Sequence, residues 1–179
     1  MPGDMPGFFW EATFSAVRIP CLLPLTIVSR RQAMEFRKTT WAETFSRPEF
    51  KQMIEDYSAE SGSPFMHGAP NPDEYIAAEK EGRFFPVGVF DDGKLVGGVN
   101  LMFHRVPHYK EVIASIESIF LSKPYRQGTA GLRLLRAAER IAKEHGAEIL
   151  MIGTRCGSRF EEVCRHLYTP VNTVFQVRL

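Results

Sequence analysis

Hydrophobic and polar positions follow regular periods from Met34 to the end of the 179-residue chain. Apolar residues three and four positions apart predict helices, whereas apolar residues at every second position predict half-buried strands. The two periods alternate along residues 34–179, which predicts one α/β domain. With 44% hydrophobic residues, a chain of this length is expected to bury one substantial core rather than two.

The first part of this region predicts a strand and two helices. The strand is expected over 36–44. Ser46-Arg47-Pro48-Glu49 is a capping-box sequence, and the helix that it starts has four apolar residues on one face: Phe50, Met53, Ile54 and Tyr57. Asn71-Pro72 predicts a second helix start, because asparagine caps helices and proline is favoured at the first helical position. Gly82 is expected to end that helix.

The middle of the chain predicts antiparallel strands. Residues 84–90 and 95–104 flank Asp91-Asp92-Gly93-Lys94, which is typical of a tight hairpin turn. A further strand is expected over 112–121, with four residues on one face: Ser115, Glu117, Ile119 and Leu121. Glu117 is therefore a carboxylate in the interior of a strand.

The last third predicts a strand–helix–strand unit. After the strand 112–121, a helix is expected whose inward positions are apolar: Leu134, Leu135, Ala138, Ile141 and Ala142. Glu139 and Lys143 are expected to pair across one turn. Residues 148–153 predict a short, buried strand parallel to 112–121. A helix over 158–167 and a strand over 171–179 complete the order.

The turn between strand 112–121 and its helix is basic and rich in glycine. It reads Lys123-Pro124-Tyr125-Arg126-Gln127-Gly128-Thr129-Ala130-Gly131. Glycines permit a tight turn, and the N–H groups and dipole at a helix start attract an anion. The turn therefore predicts a phosphate site to which Arg126 adds a permanent charge. The alternative is an ordinary strand-to-helix turn with a glycine cap.

This unit resembles the acyl-CoA-binding core of the GCN5-related N-acetyltransferase (GNAT) superfamily, whose signature is Q/R-x-x-G-x-G/A. Arg126 stands at its first position and Gly131 at its last, but Thr129 replaces the middle glycine and Gly128 lies one residue earlier. The similarity covers about 34–179 and looks closest to acetyltransferases of tailed phages and prophages. Four further segments carry it: Glu55-Asp56-Tyr57, Asp92-Gly93-Lys94-Leu95-Val96-Gly97-Gly98, His108-Tyr109 and Tyr168.

The resemblance implies a GNAT fold, in which a mixed twisted sheet is flanked by helices and acyl-CoA lies between splayed central strands. It implies an N-acetyltransferase that moves an acetyl group from acetyl-CoA to an amine, on a small molecule or a protein, by direct attack. The implied acetyl-CoA-binding residues are Ile119, Phe120, Leu121, Arg126, Gln127, Gly128, Thr129, Ala130 and Gly131. A backbone N–H of Phe120 or Leu121 is the expected donor to the acetyl carbonyl oxygen.

Three residues are candidates for proton transfer. An alkyl ammonium has a pKa near ~10.4, so the acceptor needs a base, for which Glu117 is the candidate. The departing CoA thiolate needs a proton, and Tyr168 is the nearest match to the tyrosine that supplies it in the family. A strict overlay places Cys164 there instead. The alternatives are an ion pair for Glu117 and a core or substrate-contact role for Tyr168.

Polar residues between the hairpin and strand 112–121 are candidates for the acceptor site: His104, His108 and Tyr109. A solvated loop is the alternative. The spacing of Cys156, Cys164 and His166 fits no zinc finger, and acetyl transfer needs no metal ion, so no metal is expected.

Charge and cysteine content limit the classes of binding partner and the cell compartment that we expect for the chain. A formal net charge of +1 gives no support for binding to nucleic acid or to an anionic membrane. The three cysteines, Cys21, Cys156 and Cys164, form no close pair, which suits a reducing compartment. We therefore expect a cytoplasmic protein, in the host cytoplasm if a phage encodes it.

Residues 1–33 lack a regular period and are expected to be a leader or an irregular extension. The apolar run 17–28 contains Arg18 and two prolines and is too short to span a bilayer, and Asp4 and Glu11 argue against a secretory signal. The alternative is an oligomer contact, such as a homodimer, made by Phe8, Phe9, Trp10 and the Leu22-Leu23 run. Two other functions stay open: a GNAT-fold protein that inhibits or redirects a host protein, and an enzyme that uses another acyl donor such as succinyl-CoA.

Overall fold

A five-stranded mixed sheet forms the centre of the protein in a computed structural model that describes residues 33–61, 70–108 and 110–179. Its strands are β1 (Glu35–Lys38), β2 (Phe84–Asp91), β3 (Lys94–Val106), β4 (Glu111–Leu121) and β5 (Ile149–Met151), and they lie side by side in chain order. Strands β1 to β4 pair antiparallel, and β5 pairs parallel to β4. This arrangement confirms the predicted mixed sheet.

Helices cover both faces of the sheet. Those of the described residues are α1 (Trp41–Phe45), α2 (Phe50–Ser61), α3 (Pro72–Lys80), α4 (Ala130–Glu144) and α5 (Arg159–Leu167), with a 3-10 turn at Lys123–Tyr125. Of the expected leader, residues 1–33, only residue 33 is among the described residues. Tyr109 also lies outside them.

Local sequence signals account for the β2–β3 hairpin and for α3. Asp92 and Gly93 both have positive φ, 49° and 75°, as the tight turn requires. Asn71 caps α3, because its side chain accepts a hydrogen bond from the backbone N–H of Asp73 at 3.2 Å. Gly82, with φ of 69°, follows the last turn of the helix. These predictions are confirmed.

The main core lies between α4 and the sheet. The five positions of α4 that were predicted to face inward are all buried: Leu134, Leu135, Ala138, Ile141 and Ala142. All but Leu135 belong to one core cluster with apolar residues of the central strands, such as Val99 and Leu101, which are 1% and 0% exposed. Full burial of each large aliphatic side chain contributes about 1.5–3 kcal/mol.

A second core lies on the opposite face, under α1, α2 and α3. Its centre is Trp41, which is 1% exposed. The indole ring stacks on Tyr75 at 4.2 Å and meets the edges of Phe50 and Phe84. This aromatic cluster fixes the three helices over β2 and β3.

The predicted first strand is too long. Strand β1 ends at Lys38, and Thr40 instead caps α1, because its side chain accepts a hydrogen bond from the backbone N–H of Glu43 at 3.0 Å. The predicted capping box is also wrong, since Ser46 ends α1 and α2 begins at Phe50.

Three predictions near the end of the chain are wrong as well. Strand β5 is at the edge of the sheet, and its Ile149 and Met151 are 44% and 37% exposed rather than buried. Residues 171–179 form no strand, because their apolar side chains find no partner surface among the described residues. Glu139 pairs with Arg136 at 2.7 Å instead of with Lys143.

Candidate functional site

Strands β4 and β5 separate shortly after they pair. Their register runs from Ile113 opposite Ile149 to Ser115 opposite Met151. Beyond Ser115, the edge of β4 over 116–121 has no β5 partner among the described residues. An unpaired strand edge offers backbone N–H and C=O groups to an extended ligand. We call this unpaired edge of β4, beyond the end of β5, the wedge; it contains Ile119, Phe120 and Leu121. Strands β4 and β5 are thus splayed as expected, although β5 lies at the edge of the sheet rather than at its centre.

The glycine-containing turn leads from the end of this wedge into α4. Gly128 has a φ of 60°, and α4 begins at Ala130. The first N–H groups of a helix have no intrahelical acceptor, so the start of α4 has the geometry to attract an anion. The Ala130 N–H also approaches the Gln127 carbonyl, at 3.5 Å. A Cβ built on Gly131 meets no atom within 4 Å, which shows open space beside the first turn. The turn therefore has open space beside the positive end of α4, and its use as a phosphate site stays a prediction.

Arg126 is held by a carboxylate that the sequence analysis did not identify. Its Nη1 lies 2.7 Å from Glu60 Oε2, its Nε donates to the Leu121 carbonyl, and its guanidinium lies 5.1 Å from the centre of the Phe120 ring. Lys123 also approaches Glu60, at 3.5 Å. The hydrogen bond from Arg126 lowers the pKa of Glu60 below its usual range. No sequence signal links α2 to this turn.

A β-bulge places Glu117 in the site. Asn100 pairs with Ser118 and Leu101 with Ile116, so Glu117 has no residue opposite it on β3. An extra residue in one strand interrupts the alternation of faces and re-aims side chains. Glu117, Ser118 and Phe120 consequently line the same pocket. The predicted shared face of Ser115, Glu117, Ile119 and Leu121 is therefore wrong, since Leu121 packs in the main core.

Tyr75 of α3 is the hydrogen-bond partner of this carboxylate. Its hydroxyl donates to Glu117 Oε1 at 2.9 Å. Burial, followed by the nearby charge of Glu117, raises the pKa of Tyr75 well above its usual value, so the phenol keeps its proton. Tyr75 is not among the site residues predicted from the sequence. Its spacing of three residues from Ala78 places both on one face of the predicted helix, and the structure buries Ala78 on that face.

The pocket beside Glu117 has a volume of about 390 Å³, which suits a small ligand. It lies between the helices α1, α2 and α3 and the strands β2, β3 and β4. Gly97 and Gly98 form part of its floor. A Cβ on Gly97 would lie 2.6 Å from the Phe120 carbonyl oxygen, so the close approach of β3 and β4 at this point requires glycine.

Tyr168 and Cys164 lie together at the end of α5, where the Tyr168 N–H donates to the Cys164 carbonyl at 2.8 Å. The Tyr168 hydroxyl donates to Glu139 Oε1 of α4 at 2.6 Å. Burial raises the pKa of both side chains, and the hydrogen bond to Glu139 adds to this for Tyr168. Tyr168 thus bonds to α4, whereas Glu117 bonds to α3.

The structure does not bring the histidines to the pocket. His104 lies opposite Ile113 near the far end of the β3–β4 hairpin, and His108 lies in the turn beyond it. Neither lines the pocket, whereas Gly97 and Leu121 mark the opposite end of the hairpin, where the wedge and turn lie. The third candidate, Tyr109, is outside the described residues.

Two other features of the described ranges bear on function. They hold no group of three His, Cys, Asp or Glu side chains placed to bind a metal ion. No helix in them has the length and apolar character to cross a membrane. Cys156 and Cys164 are free thiols.

The wedge, the anion-binding turn and the pocket together are the features of an acyl-CoA-dependent acyltransferase. The chain belongs to the acetyltransferase (GNAT) family, whose model matches residues 37–168. Members of this family use acetyl-CoA, and the class of the enzyme is therefore an N-acetyltransferase. Comparison with curated proteins gives no match.

Solved structures share the fold at low sequence identity. A ribosomal-protein-alanine N-acetyltransferase from Brucella melitensis has a TM-score of 0.64 and 13% identity, over 82% of this chain and 99% of that one. The aminoglycoside N-acetyltransferase AAC(6')-Iy in complex with CoA has a TM-score of 0.62 and 17% identity, over 86% and 99%. An aminoglycoside acetyltransferase from an uncultured soil metagenomic sample, in complex with sisomicin, has a TM-score of 0.60 and 14% identity, over 82% and 93%.

Proposed function

We propose that the chain transfers the acetyl group of acetyl-CoA directly to the amine nitrogen of an acceptor bound beside Glu117. The observation that carries this proposal is the bulge in β4, which directs a carboxylate into a pocket next to the unpaired strand edge. Strand β4 thus lies next to a base, an acceptor pocket and a place for an extended thioester.

The reaction forms a bond between the amine nitrogen and the acetyl carbon and breaks the bond between that carbon and the CoA sulfur. The nitrogen must lose a proton, because an alkyl ammonium with a pKa near ~10.4 has no lone pair for attack. Glu117 accepts this proton, directly or through one water molecule, and passes it to solvent. After attack the nitrogen loses a second proton, and the CoA thiolate gains one as it leaves, so the net reaction releases one proton. The hydroxyl of Tyr75, at 2.9 Å, orients the carboxylate for this step.

The donor is bound by the turn and the wedge. Backbone N–H groups over 127–131 hold the pyrophosphate at the positive end of α4, and Arg126 adds charge. The edge of β4 at Ile119, Phe120 and Leu121 pairs with the pantetheine chain. A backbone N–H of Phe120 or Leu121 polarises the acetyl carbonyl.

Tyr168 is our first candidate for protonating the CoA thiolate, and Cys164 is the second. The raised pKa of each means that the phenol and the thiol are protonated at neutral pH. Because the Tyr168 hydroxyl donates to Glu139, it must leave that carboxylate to serve the thiolate. His104 and His108 would contact only a part of the acceptor that extends beyond the pocket. Tyr109, outside the described residues, stays a candidate from the sequence.

Labelling with radioactive acetyl-CoA tests the proposal. The purified full chain is incubated with a lysate separated into small molecules and proteins, and calorimetry measures acetyl-CoA binding in parallel. We expect binding and labelled amide in one of the two fractions. Binding without labelled product would contradict acetyl transfer and leave the alternative of a protein that grips another protein. Stronger labelling from succinyl-CoA would contradict the choice of acetyl donor.

Three further expectations from the sequence stay predictions. The resemblance to phage and prophage enzymes predicts that the gene lies among phage genes. The cysteine content predicts a cytoplasmic location. The irregular pattern of residues 1–33 predicts that the catalytic domain is 34–179.

A further inference from the structure

The walls of the pocket beside Glu117 are mainly aromatic and aliphatic. They include Trp41, Phe50, Met53, Ile54, Tyr57 and Phe120. The rings of Tyr57 and Phe120 meet edge to face, with centres 6.2 Å apart. Such walls stabilise an apolar ligand group by removing its surface from water, and the faces of the rings attract a cation.

Glu117 is the one charged side chain among the described residues that line this pocket. Three carboxylates on the neighbouring helices have other partners. Glu60 pairs with Arg126 at 2.7 Å, Glu43 pairs with Arg37 at 2.6 Å, and Glu79 accepts from the Trp41 N–H at 3.1 Å. The pocket therefore offers one negative charge, which matches one ammonium group.

Several polar side chains of the pocket already have hydrogen-bond partners, whereas the buried indole Nε1 of Trp41 has no acceptor among the described residues. Asn100 Nδ2 donates to Ser118 Oγ at 2.9 Å. Thr44 Oγ1 donates to the Thr40 carbonyl at 3.1 Å. A ligand with many hydroxyl and ammonium donors would lose water and find few free acceptors in this lining, which costs free energy for each unpaired donor. The indole N–H of Trp41 is itself a donor, so it suits one acceptor atom on the ligand and no further ammonium group.

We infer that the acceptor is a primary monoamine whose ammonium group is joined by a short linker to an aromatic or branched apolar body. The ammonium group pairs with Glu117 Oε2, since Tyr75 occupies Oε1. The apolar body fills the space between Tyr57, Phe120 and the Trp41 cluster. This inference rests on the proposed function and excludes polyamines and aminoglycosides as preferred acceptors.

Steady-state kinetics with four amines tests the acceptor class. Release of the CoA thiol is measured with 2-phenylethylamine and cyclohexylmethylamine as apolar monoamines, and with spermidine and sisomicin as polycations. We expect kcat/KM of the better monoamine to exceed that of either polycation at least tenfold. Equal or higher kcat/KM for a polycation would overturn the inference while supporting acetyl transfer.

Calorimetric titration of the same amines into the full chain saturated with CoA separates the two claims. Binding of a monoamine without thiol release from acetyl-CoA would support the acceptor class and contradict the proposed function. Failure of both monoamines to bind would overturn the inference, whatever the enzyme does with other acceptors.

Variants of Tyr57 test whether the aromatic wall selects the acceptor. Tyr57→Ala should raise KM for 2-phenylethylamine at least fivefold and change kcat less than twofold, because it removes a wall but no reacting group. Tyr57→Phe keeps the ring and should keep KM within twofold. Phe175→Ala, at an aromatic that is 89% exposed, is the control for loss of a ring elsewhere. An unchanged KM in folded Tyr57→Ala would contradict the inference.

Discussion

The carboxylate of Glu60 forms an ion pair with the guanidinium of Arg126, the residue proposed to bind the donor phosphates. Arg126 contacts Glu60, the end of β4 and the Phe120 ring at the same time. A pyrophosphate that approaches Arg126 meets the negative charge of Glu60 and must share or replace this contact. Glu60 is therefore expected to weaken donor binding in exchange for holding α2 against the turn.

Glu60→Gln should strengthen acetyl-CoA binding by about threefold to tenfold, because it removes a competing charge while keeping a hydrogen-bond acceptor. Calorimetry with acetyl-CoA measures the effect. Glu55→Gln, on the same helix but outside the pocket lining, removes an equal charge and should leave the affinity unchanged. Weaker binding in Glu60→Gln would contradict competition and indicate that Glu60 positions Arg126 for the phosphate.

The start of α4 is the proposed binding place for the pyrophosphate. The open space beside Gly131 means that a larger side chain fits the fold but intrudes where the pyrophosphate would lie. We predict that Gly131→Val keeps the melting temperature within a few degrees, as expected for an exposed helical position, and weakens acetyl-CoA binding at least tenfold. Unchanged affinity in the folded variant would show that the turn is only a structural joint.

Helix α1 depends on an ion pair that acid should break. Hydrogen bonds from Arg37 and Arg47 lower the pKa of Glu43 to about 2. This pKa is below the value of about 4.3 that a glutamate has in the unfolded chain. The ion pair therefore gives its full stabilisation above about pH 4.3, and the stabilisation is lost as the pH falls toward 2. Since Glu43 is 30% exposed, we expect about 1 kcal/mol or less.

Thermal melting of the wild type and Glu43→Gln measures this contribution. The difference in melting temperature should be constant above pH 5 and should shrink between pH 4 and pH 2. Glu49→Gln, whose carboxylate has no ion pair among the described residues, is the control. A difference that stays constant down to pH 2.5 would contradict the role of the Glu43 pair.

Elements whose signals are local could be predicted from the sequence, and contacts between distant segments could not. The Asn71 cap and the Asp92-Gly93 turn each depend on a few neighbouring residues, so α3 and the hairpin were found. The bulge at Glu117 depends on pairing with Asn100 and Leu101. Strand β1 was predicted too long because β propensity outweighed the cap at Thr40. The tail 171–179 has a strand pattern but no partner strand among the described residues.

The catalytic domain as a whole is predicted to start at Met34. The backbone carbonyl of Met34 accepts a hydrogen bond from Arg133 at 2.9 Å, and its side chain packs on the main core, so the regular structure reaches this residue. A chain that starts at Met34 should melt within a few degrees of the full chain and bind acetyl-CoA with the same affinity within about twofold. Loss of folding or of binding in the truncated chain would show that residues 1–33 belong to the domain.

The proposed reaction requires that Glu117 deprotonate an amine in the pocket while the donor lies along the unpaired edge of β4. The most direct test is kcat/KM of Glu117→Gln against pH, measured with the best amine found in the four-amine assay and compared with Glu55→Gln. We predict a loss of about 10²–10⁴-fold at neutral pH, which shrinks as the pH approaches the pKa of the amine, with unchanged acetyl-CoA affinity. A full rate with a lowered melting temperature would contradict the account, because it would make Glu117 a structural partner of Tyr75 rather than a base.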